Sequence, residues 1–168
     1  MAIITLNNNS LSSVTSLPAA IATGKVLQVV SARPNGETST TSSSFVATDT
    51  EVSITPSSTS SKVFVMVTSG LFWANASSSS AKGCTATIYR DSTNLRGGSN
   101  WMVRTYRDLT GTSIQTSAAM SILDSPNTTS ATTYKCYIAA TFGAPTSQWN
   151  SGGNDIATIT AMEIEGWL

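Results

Sequence analysis

Lys62-Val-Phe-Val-Met-Val67 is the most apolar strand-like stretch of the chain, and it decides the fold class. Side chains alternate between the two faces of a β-strand. The three valines of this stretch therefore point one way, and Phe64 and Met66 point the other way. Because both faces are apolar, we expect a central strand of a β-sandwich or a strand that contacts a neighbouring subunit.

The same alternation predicts strands on either side of this stretch. Cys84-Thr-Ala-Thr-Ile-Tyr89 places its apolar residues on one face and its threonines on the other. Other strands are predicted at 25–31, 44–46, 52–55, 101–106, 114–123, 134–141 and 156–164. Polar turns separate them, and no long stretch combines a helical period with helix caps. About eight to ten short strands at this spacing predict an all-β, antiparallel β-sandwich.

Two segments about 70 residues apart repeat one pattern, which refines the fold. Each consists of a short strand, a Ser/Thr-rich turn that begins at Pro56 or Pro126, and a longer apolar strand. Equivalent hairpins in the two halves of a jelly roll would give this spacing. We therefore predict a β-sandwich of jelly-roll type.

The composition argues against catalysis. Ser and Thr fill 54 of the 168 positions, there is no His, and only 11% of residues are charged, against about 25% in ordinary soluble domains. Catalytic proton transfer near neutral pH depends mostly on the residue types that are scarce here. Glu163 and Glu165 are a close pair of acids, and we expect them on a solvated face of the last strand. We predict no catalytic residue, no cofactor and no metal site; the chain is not expected to be an enzyme.

Cysteines and net charge restrict the partners. Cys84 and Cys136 lie in apolar strand-like stretches, which favours two reduced core thiols over a disulfide. The net charge is zero, which argues against a nucleic-acid partner and favours self-association. No apolar run approaches the roughly 20 residues of a membrane span, and no secretory signal is recognised. We therefore expect synthesis in a cytoplasm and no membrane insertion.

The composition also divides the chain into two parts. Residues 1–24 lack a periodic pattern and are expected to form an N-terminal arm that becomes ordered on a partner. Residues 25–168 are expected to form the globular β-sandwich. The short apolar segments of the arm cannot form a core alone, so they are the predicted anchoring residues: Ile3, Ile4, Leu6, Leu11, Val14 and Leu17.

Four aromatic residues are candidates for a binding surface: Trp73, Trp101, Tyr106 and Trp149. Aromatic rings stack on the apolar faces of sugars, and they are also enriched in protein interfaces. A position at the core edge or in a subunit interface, and a position on a glycan-binding surface, both remain open from the sequence.

An ordered set of segments resembles a known group of proteins. The segments are Ile4-Thr-Leu-Asn-Asn-Asn-Ser10, Leu17-Pro-Ala, Gly24-Lys-Val-Leu-Gln-Val-Val30, Ser53-Ile-Thr-Pro-Ser-Ser-Thr-Ser-Ser-Lys62, Ile88-Tyr-Arg-Asp-Ser-Thr93, Leu123-Asp-Ser-Pro126 with Thr133-Tyr134, and Ile159-Thr-Ala-Met-Glu-Ile164. Together they resemble the β-rich virion appendage proteins of tailed phages, especially phages of marine bacteria and cyanobacteria.

This resemblance implies a non-enzymatic structural role in a virion that is assembled in the host cytoplasm. It also implies a homotrimer whose partners are other virion proteins of the capsid or tail. The expected protein is a fibre- or knob-type appendage, anchored by its arm and contacting the host surface, where a glycan is a candidate ligand. Two alternatives remain: a capsid decoration (cement) protein, which suits an arm too short for a fibre stalk, and a lectin-like carbohydrate-binding module.

Overall fold

The computed structural model describes residues 25–75, 81–98, 100–108, 113–150 and 155–166, so the predicted arm lies outside the described residues. Within these ranges the chain is all-β, as predicted, with thirteen strands and no helix. The strands are β1 (Val26–Ala32), β2 (Thr38–Thr40), β3 (Val46–Ile54), β4 (Lys62–Thr68), β5 (Phe72–Asn75), β6 (Ala81–Arg90), β7 (Thr93–Asn94), β8 (Val103–Asp108), β9 (Ile114–Thr116), β10 (Ala119–Asp124), β11 (Thr132–Thr141), β12 (Thr146–Trp149) and β13 (Thr158–Ile164).

The strands form three antiparallel sheets. The front sheet has the order β1-β13-β4-β10. The back sheet has the order β3-β11-β6, and both β7 and β8 pair with the remaining edge of β6. The cap sheet has the order β2-β12-β5-β9. Strands that are distant in the chain therefore lie side by side, with the first strand β1 next to the last strand β13.

One core lies between the front and back sheets. The three valines of β4, Val63, Val65 and Val67, are buried in it, as the alternation in the sequence predicts. The back sheet contributes Cys84, Ala86, Ile88, Tyr134, Cys136 and Ile138 to the same cluster. Each large apolar side chain buried in this way contributes about 1.5–3 kcal/mol to folding, so the packing of these two sheets is a main source of stability.

The four short strands of the cap sheet lie in four connections between the front and back sheets. Each of β2, β5, β9 and β12 follows a strand of one sheet and precedes a strand of the other. Because all pairs are antiparallel, these four connections lie at the same end of the sandwich, here called the cap end. The opposite end is called the arm end, since β1 begins there beside the end of β13, where the Glu165 amide donates to the Lys25 carbonyl at 2.9 Å.

The two repeated turns lie side by side at the arm end. The turn at Pro56 leads from β3 in the back sheet to β4 in the front sheet, and the turn at Pro126 leads from β10 in the front sheet to β11 in the back sheet. Because β3 pairs with β11 and β4 pairs with β10, the two turns are neighbours. The expectation of hairpins was wrong, since each turn crosses between the two sheets.

The remaining differences from the predicted strands concern short elements. The stretches predicted at 44–46 and 52–55 overlap the start and the end of one strand, β3, and the stretch at 114–123 is divided between β9 and β10. The cap strands β2, β5 and β12 were not predicted. They have three or four residues each, which is too short for an alternating pattern to stand out in a Ser/Thr-rich sequence.

Candidate binding surfaces

The outer face of the front sheet carries a continuous apolar row. Val29 of β1 pairs with Met162 of β13, Met162 pairs with Phe64 of β4, and Phe64 pairs with Leu123 of β10. Directly paired residues in antiparallel strands point to the same face. Val29 and Leu123 are each 56% exposed, and Phe64 and Met162 are half-buried. The second apolar face predicted for β4 is therefore real, and it points away from the core.

Further apolar residues extend this face. Val26, which pairs with Ile164, and Met66 are also exposed on it, and the exposed Leu27 lies at the bulge of β1. A shallow groove of about 220 Å³ runs between β4 and β10, where Phe64, Met66 and Ala119 form part of its lining. Large exposed apolar patches on soluble proteins mark interaction sites, so this face is the first candidate binding surface.

The four predicted aromatic residues do not form one surface. Trp149 is fully buried, donates from Nε1 to Thr50 Oγ1 at 2.8 Å, and packs edge-on against Phe72. The prediction that placed Trp149 on a binding surface is therefore wrong. Trp73 is half-buried on the outer face of the cap sheet, where it pairs with Gln148 and Gln115.

Trp101 and Tyr106 do lie together, on the outer face of the back sheet. The Arg104 guanidinium carbon lies 5.4 Å from the centroid of the Trp101 ring, 5.8 Å from that of Tyr106 and 5.6 Å from that of Phe142. Tyr106 and Phe142 also contact each other edge to face, with centroids 5.0 Å apart. The three rings are 37%, 48% and 47% exposed. We call Trp101, Arg104, Tyr106 and Phe142 the Arg104 cluster; it is the second candidate binding surface.

Strand pairing explains how the Arg104 cluster forms. Arg104 and Tyr106 are two residues apart on the edge strand β8 and therefore share one face. Gly83 of β6 pairs with Tyr106 on one side and with Thr141 of β11 on the other. A β-carbon at Gly83 would lie 2.6 Å from the Thr105 carbonyl oxygen and 2.7 Å from Thr141 Oγ1. Only glycine fits there, and the missing side chain leaves room for the rings to meet.

Phe142 has an unusual backbone conformation. Its φ is +54°, in the left-handed region that bulky residues rarely adopt. This conformation costs about 1–2 kcal/mol. The side chain of Thr141, the preceding residue, has its Oγ1 buried with no hydrogen-bond partner among the described residues. Both features lie at the Arg104 cluster, which is therefore maintained at some cost to folding.

A second aromatic group lies elsewhere on the outer face of the back sheet. The rings of Tyr89 and Tyr137 stack with centroids 4.0 Å apart, and Phe45 contacts Tyr89 edge-on at 6.1 Å. An open, polar cleft of about 300 Å³ adjoins this group, with Ser43 and Ser44 in its lining. The cation beside this group, Lys135, pairs with Tyr89 across the strands and forms an ion pair with Glu51, which distinguishes the group from the Arg104 cluster.

The two cysteines are structural. Cys84 and Cys136 are buried thiols that form no disulfide, as predicted. Burial raises the pKa of Cys84 to about 11, and burial also raises the pKa of Cys136. Neither thiol is therefore an active nucleophile near neutral pH. No group of three or more possible metal ligands occurs among the described residues.

Glu163 lies in the interior, contrary to the prediction of a solvated face. Its Oε1 accepts hydrogen bonds from the Ser57 amide, the Ser57 hydroxyl and the Ser61 hydroxyl at 2.7, 2.6 and 2.6 Å, and its Oε2 accepts one from Gln28 Nε2 at 2.6 Å. Burial opposes ionisation, but the hydrogen bonds from Ser57, Ser61 and Gln28 together outweigh it and lower the pKa of Glu163 to about 2. Glu163 thus holds the Pro56 turn against β1 and β13.

The described residues form an all-β fold that carries the two candidate binding surfaces. Comparison with protein-family models gives no match, and comparison with curated proteins gives no match either. Across the described ranges, no helix is long and apolar enough to cross a membrane.

Sequence reasoning found half of the Arg104 cluster and missed the rest. Arg104 could have been found, because it lies two residues before Tyr106 on a predicted strand. Phe142 could not have been placed beside Tyr106 without the pairing of β6 with both β8 and β11. The predicted anchoring residues from Ile3 to Leu17 lie outside the described residues.

Proposed function

We propose that the protein is a non-enzymatic structural component of a tailed-phage particle. In this proposal residues 25–168 form a surface-exposed knob, and the arm of residues 1–24 anchors the knob to a capsid or tail protein. The knob contacts the host surface. The exposed apolar face of the front sheet is the observation that carries the proposal, because such a face favours assembly with other protein surfaces.

We further propose that the sandwich is a jelly roll. In the front sheet β1 pairs with β13 and β4 with β10, and in the back sheet β3 pairs with β11 and β6 with β8. Early strands thus pair with late strands in reverse order, as when one long antiparallel hairpin is rolled up. Jelly rolls of two sheets and eight strands occur in viral capsid and lectin domains, which supports a virion role.

The occupant proposed for the outer face of the front sheet is a second copy of this chain, as in a homotrimer. Four strands of about seven residues present roughly 400 Å² on one face. A standard stable interface buries about 800 Å² on each partner. The front sheet therefore supplies about half of the necessary area, and we propose that the arm of a neighbouring copy supplies much of the rest.

The two ends of the sandwich support an anchored orientation. The described chain begins at Lys25 at the arm end, and the cap sheet lies at the opposite end. An arm attached to the particle would place the arm end inward and the cap end outward. Tyr106 and Phe142, at the ends of β8 and β11 nearest the cap sheet, would then lie in the outer half of the knob.

The two alternative functions differ from this proposal in location and number. A capsid decoration protein would use the same assembly face and the same arm, in hundreds of copies on the shell. A lectin-like module unconnected with a particle is supported by the Arg104 cluster, whose exposed rings suit carbohydrate stacking.

Protein composition of purified particles tests the proposed function. We expect quantitative mass spectrometry of gradient-purified phage particles to detect this chain at a constant ratio to the major capsid protein. A few dozen copies or fewer would support a tail-attached knob, and hundreds would support decoration. Absence of the chain from purified particles, with its presence in the infected-cell lysate, would overturn the virion role.

A further inference from the structure

Within the described part of the chain, the Arg104 guanidinium forms no hydrogen bond and no ion pair. Three exposed rings surround it at 5.4–5.8 Å, within the range of cation–π attraction. A guanidinium has five N–H donors in a planar fork that matches a carboxylate. The rings hold the charge in place while its donors remain available.

The rings around Arg104 indicate which group a ligand should carry beside its carboxylate. The Tyr106 and Phe142 rings are inclined at 72° to each other, so they form an angled apolar surface beside the guanidinium. Aromatic faces of this kind stack on the C–H faces of sugar rings. A ligand that matches both the guanidinium and the rings carries a carboxylate next to an apolar sugar face.

We propose that the Arg104 cluster binds an acidic sugar, a pyranose unit with a carboxylate, in a polysaccharide of the host surface. Arg104 pairs with the carboxylate in a bidentate manner, and Trp101, Tyr106 and Phe142 contact the sugar ring. This inference rests on the proposed host contact and names its ligand class. In the Tyr89 group of the same sheet, the neighbouring cation Lys135 already forms an ion pair with Glu51, so this group does not share the preference for acidic sugars.

The arrangement also has a cost that a purely structural cluster would not require. Phe142 adopts a left-handed backbone conformation, and only glycine fits at position 83 beside it. Three half-exposed rings bury little area in return. Strained backbone that supports exposed aromatic groups is a feature of ligand-binding positions.

The test measures binding of tetragalacturonate to the full-length protein by isothermal titration calorimetry. The fully methyl-esterified tetramer serves as the neutral probe with the same sugar rings. We expect binding of the acid, and binding weaker by about tenfold or more for the ester, because the ester loses the charge-assisted hydrogen bonds. Absence of binding to both probes, or equal binding of both, would overturn the proposal.

Two variants of one strand separate a specific site from a general charge effect. Arg104→Gln should weaken binding of the acid by about tenfold or more, while Arg107→Gln, which removes the same charge three residues along β8, should change it less than about twofold. Equal losses in both variants would contradict a specific site. Trp101→Ala, with an unchanged circular dichroism spectrum, should lose affinity comparably to Arg104→Gln.

The competing occupant is a protein surface, since Trp, Tyr and Arg also dominate protein interfaces. If Arg104→Gln changed the oligomeric mass but left sugar binding unchanged, the cluster would be a protein contact and the proposal would fail. The binding test uses the isolated protein. Its failure is therefore distinct from failure of the virion role, which particle composition decides.

Discussion

At the scale of single residues, one buried carboxylate organises the arm end of the sandwich. Glu163 connects β13 to Gln28 of β1 and to two serines of the Pro56 turn. A charged group in the interior is tolerated only when it is fully hydrogen-bonded. Here the ionised form accepts four hydrogen bonds, so ionisation of Glu163 and folding favour each other.

The pKa of Glu163 leads to a prediction about acid stability. Because the folded pKa of about 2 lies below the ordinary value of 4.5, the stabilisation is present above pH 4.5 and is lost as the pH falls towards 2. The loss should reach about 2–3 kcal/mol. In urea titrations at several pH values, Glu163→Gln should be about 2 kcal/mol less stable at pH 7 and should lose this pH dependence.

The exposed acid of the same segment gives the control for that experiment. Glu165→Gln should retain both the stability at pH 7 and the decline in acid. If Glu163→Gln and the unchanged protein declined in parallel below pH 4.5, the structural role assigned to Glu163 would be wrong.

The backbone of Phe142 gives a second prediction at this scale. Glycine adopts a positive φ without strain, whereas alanine does not. Phe142→Gly should therefore be more stable than Phe142→Ala by about 1 kcal/mol, measured by thermal unfolding. At Tyr106, which lies in strand β8, the order should be reversed, with Tyr106→Ala the more stable variant. The same order at both positions would contradict the strain at Phe142.

Residue-scale predictions from the sequence succeeded where burial follows from alternation. The inward valines of β4 and the reduced cysteines were placed correctly. Trp149 and Glu163 were not, because their positions depend on partners distant in the chain: Thr50 and Phe72 for the indole, and the Pro56 turn for the carboxylate. The sequence pattern around a residue does not show which distant residues it will contact.

At the scale of elements, the front sheet carries apolar side chains on both of its faces. One face closes the core, and the other carries the row from Val29 to Leu123. Strands β1 and β10 are the two edges of this sheet, so the row spans its full width. A second copy of the chain that covers this face would remove apolar area from water at about 25 cal/mol per Å² before the costs of association.

A charge placed in the apolar row should prevent that association. Leu123→Lys introduces an ammonium group at a position that is exposed in the single chain, so the fold should be retained. The proposed trimer should dissociate, because a charge buried in the interface has no partner. Light scattering coupled to size-exclusion chromatography should show a shift from the trimer mass to the monomer mass.

Thr129→Lys provides a matched lysine outside the front sheet, in the turn after Pro126. This variant should keep the mass of the unchanged protein. A monomer mass for the unchanged, full-length protein would contradict the trimer, and an unchanged trimer in Leu123→Lys would exclude this face as its interface.

Element prediction from the sequence worked best for long strands with alternating side chains, such as β4, β6 and β11. The cap strands were missed because pairing between four separate connections, rather than their own composition, gives them their conformation. The repeated turns were recognised as equivalent from their composition. Their crossing from one sheet to the other was not predicted, because it also depends on pairing between distant strands.

At the scale of the whole molecule, the paired early and late strands give a knob with two distinct ends. The described core is built from the strands of the two main sheets and the cap sheet, with Val30 and Ala32 of β1 packed against it. If the arm serves only as an anchor, as proposed, folding of the knob should tolerate its removal. Deletion of residues 1–24 should retain the β-sheet circular dichroism spectrum, weaken the oligomer, and abolish incorporation into particles in a complementation assay.

A deletion variant that entered particles in normal numbers would contradict anchoring by the arm. A mutant that replaces only the six apolar arm residues by serine provides a control of unchanged length. It should fail to be incorporated in the same way, because the proposed anchor is the apolar side chains: Ile3, Ile4, Leu6, Leu11, Val14 and Leu17.

Cryo-electron microscopy of the parent phage particle tests the central proposal most directly. The proposed role predicts density for a threefold group of two-layer β-sandwiches on the particle surface, with the arm ends inward and the Arg104 clusters exposed. A particle map at side-chain resolution in which every surface density is accounted for by other chains would contradict the proposal.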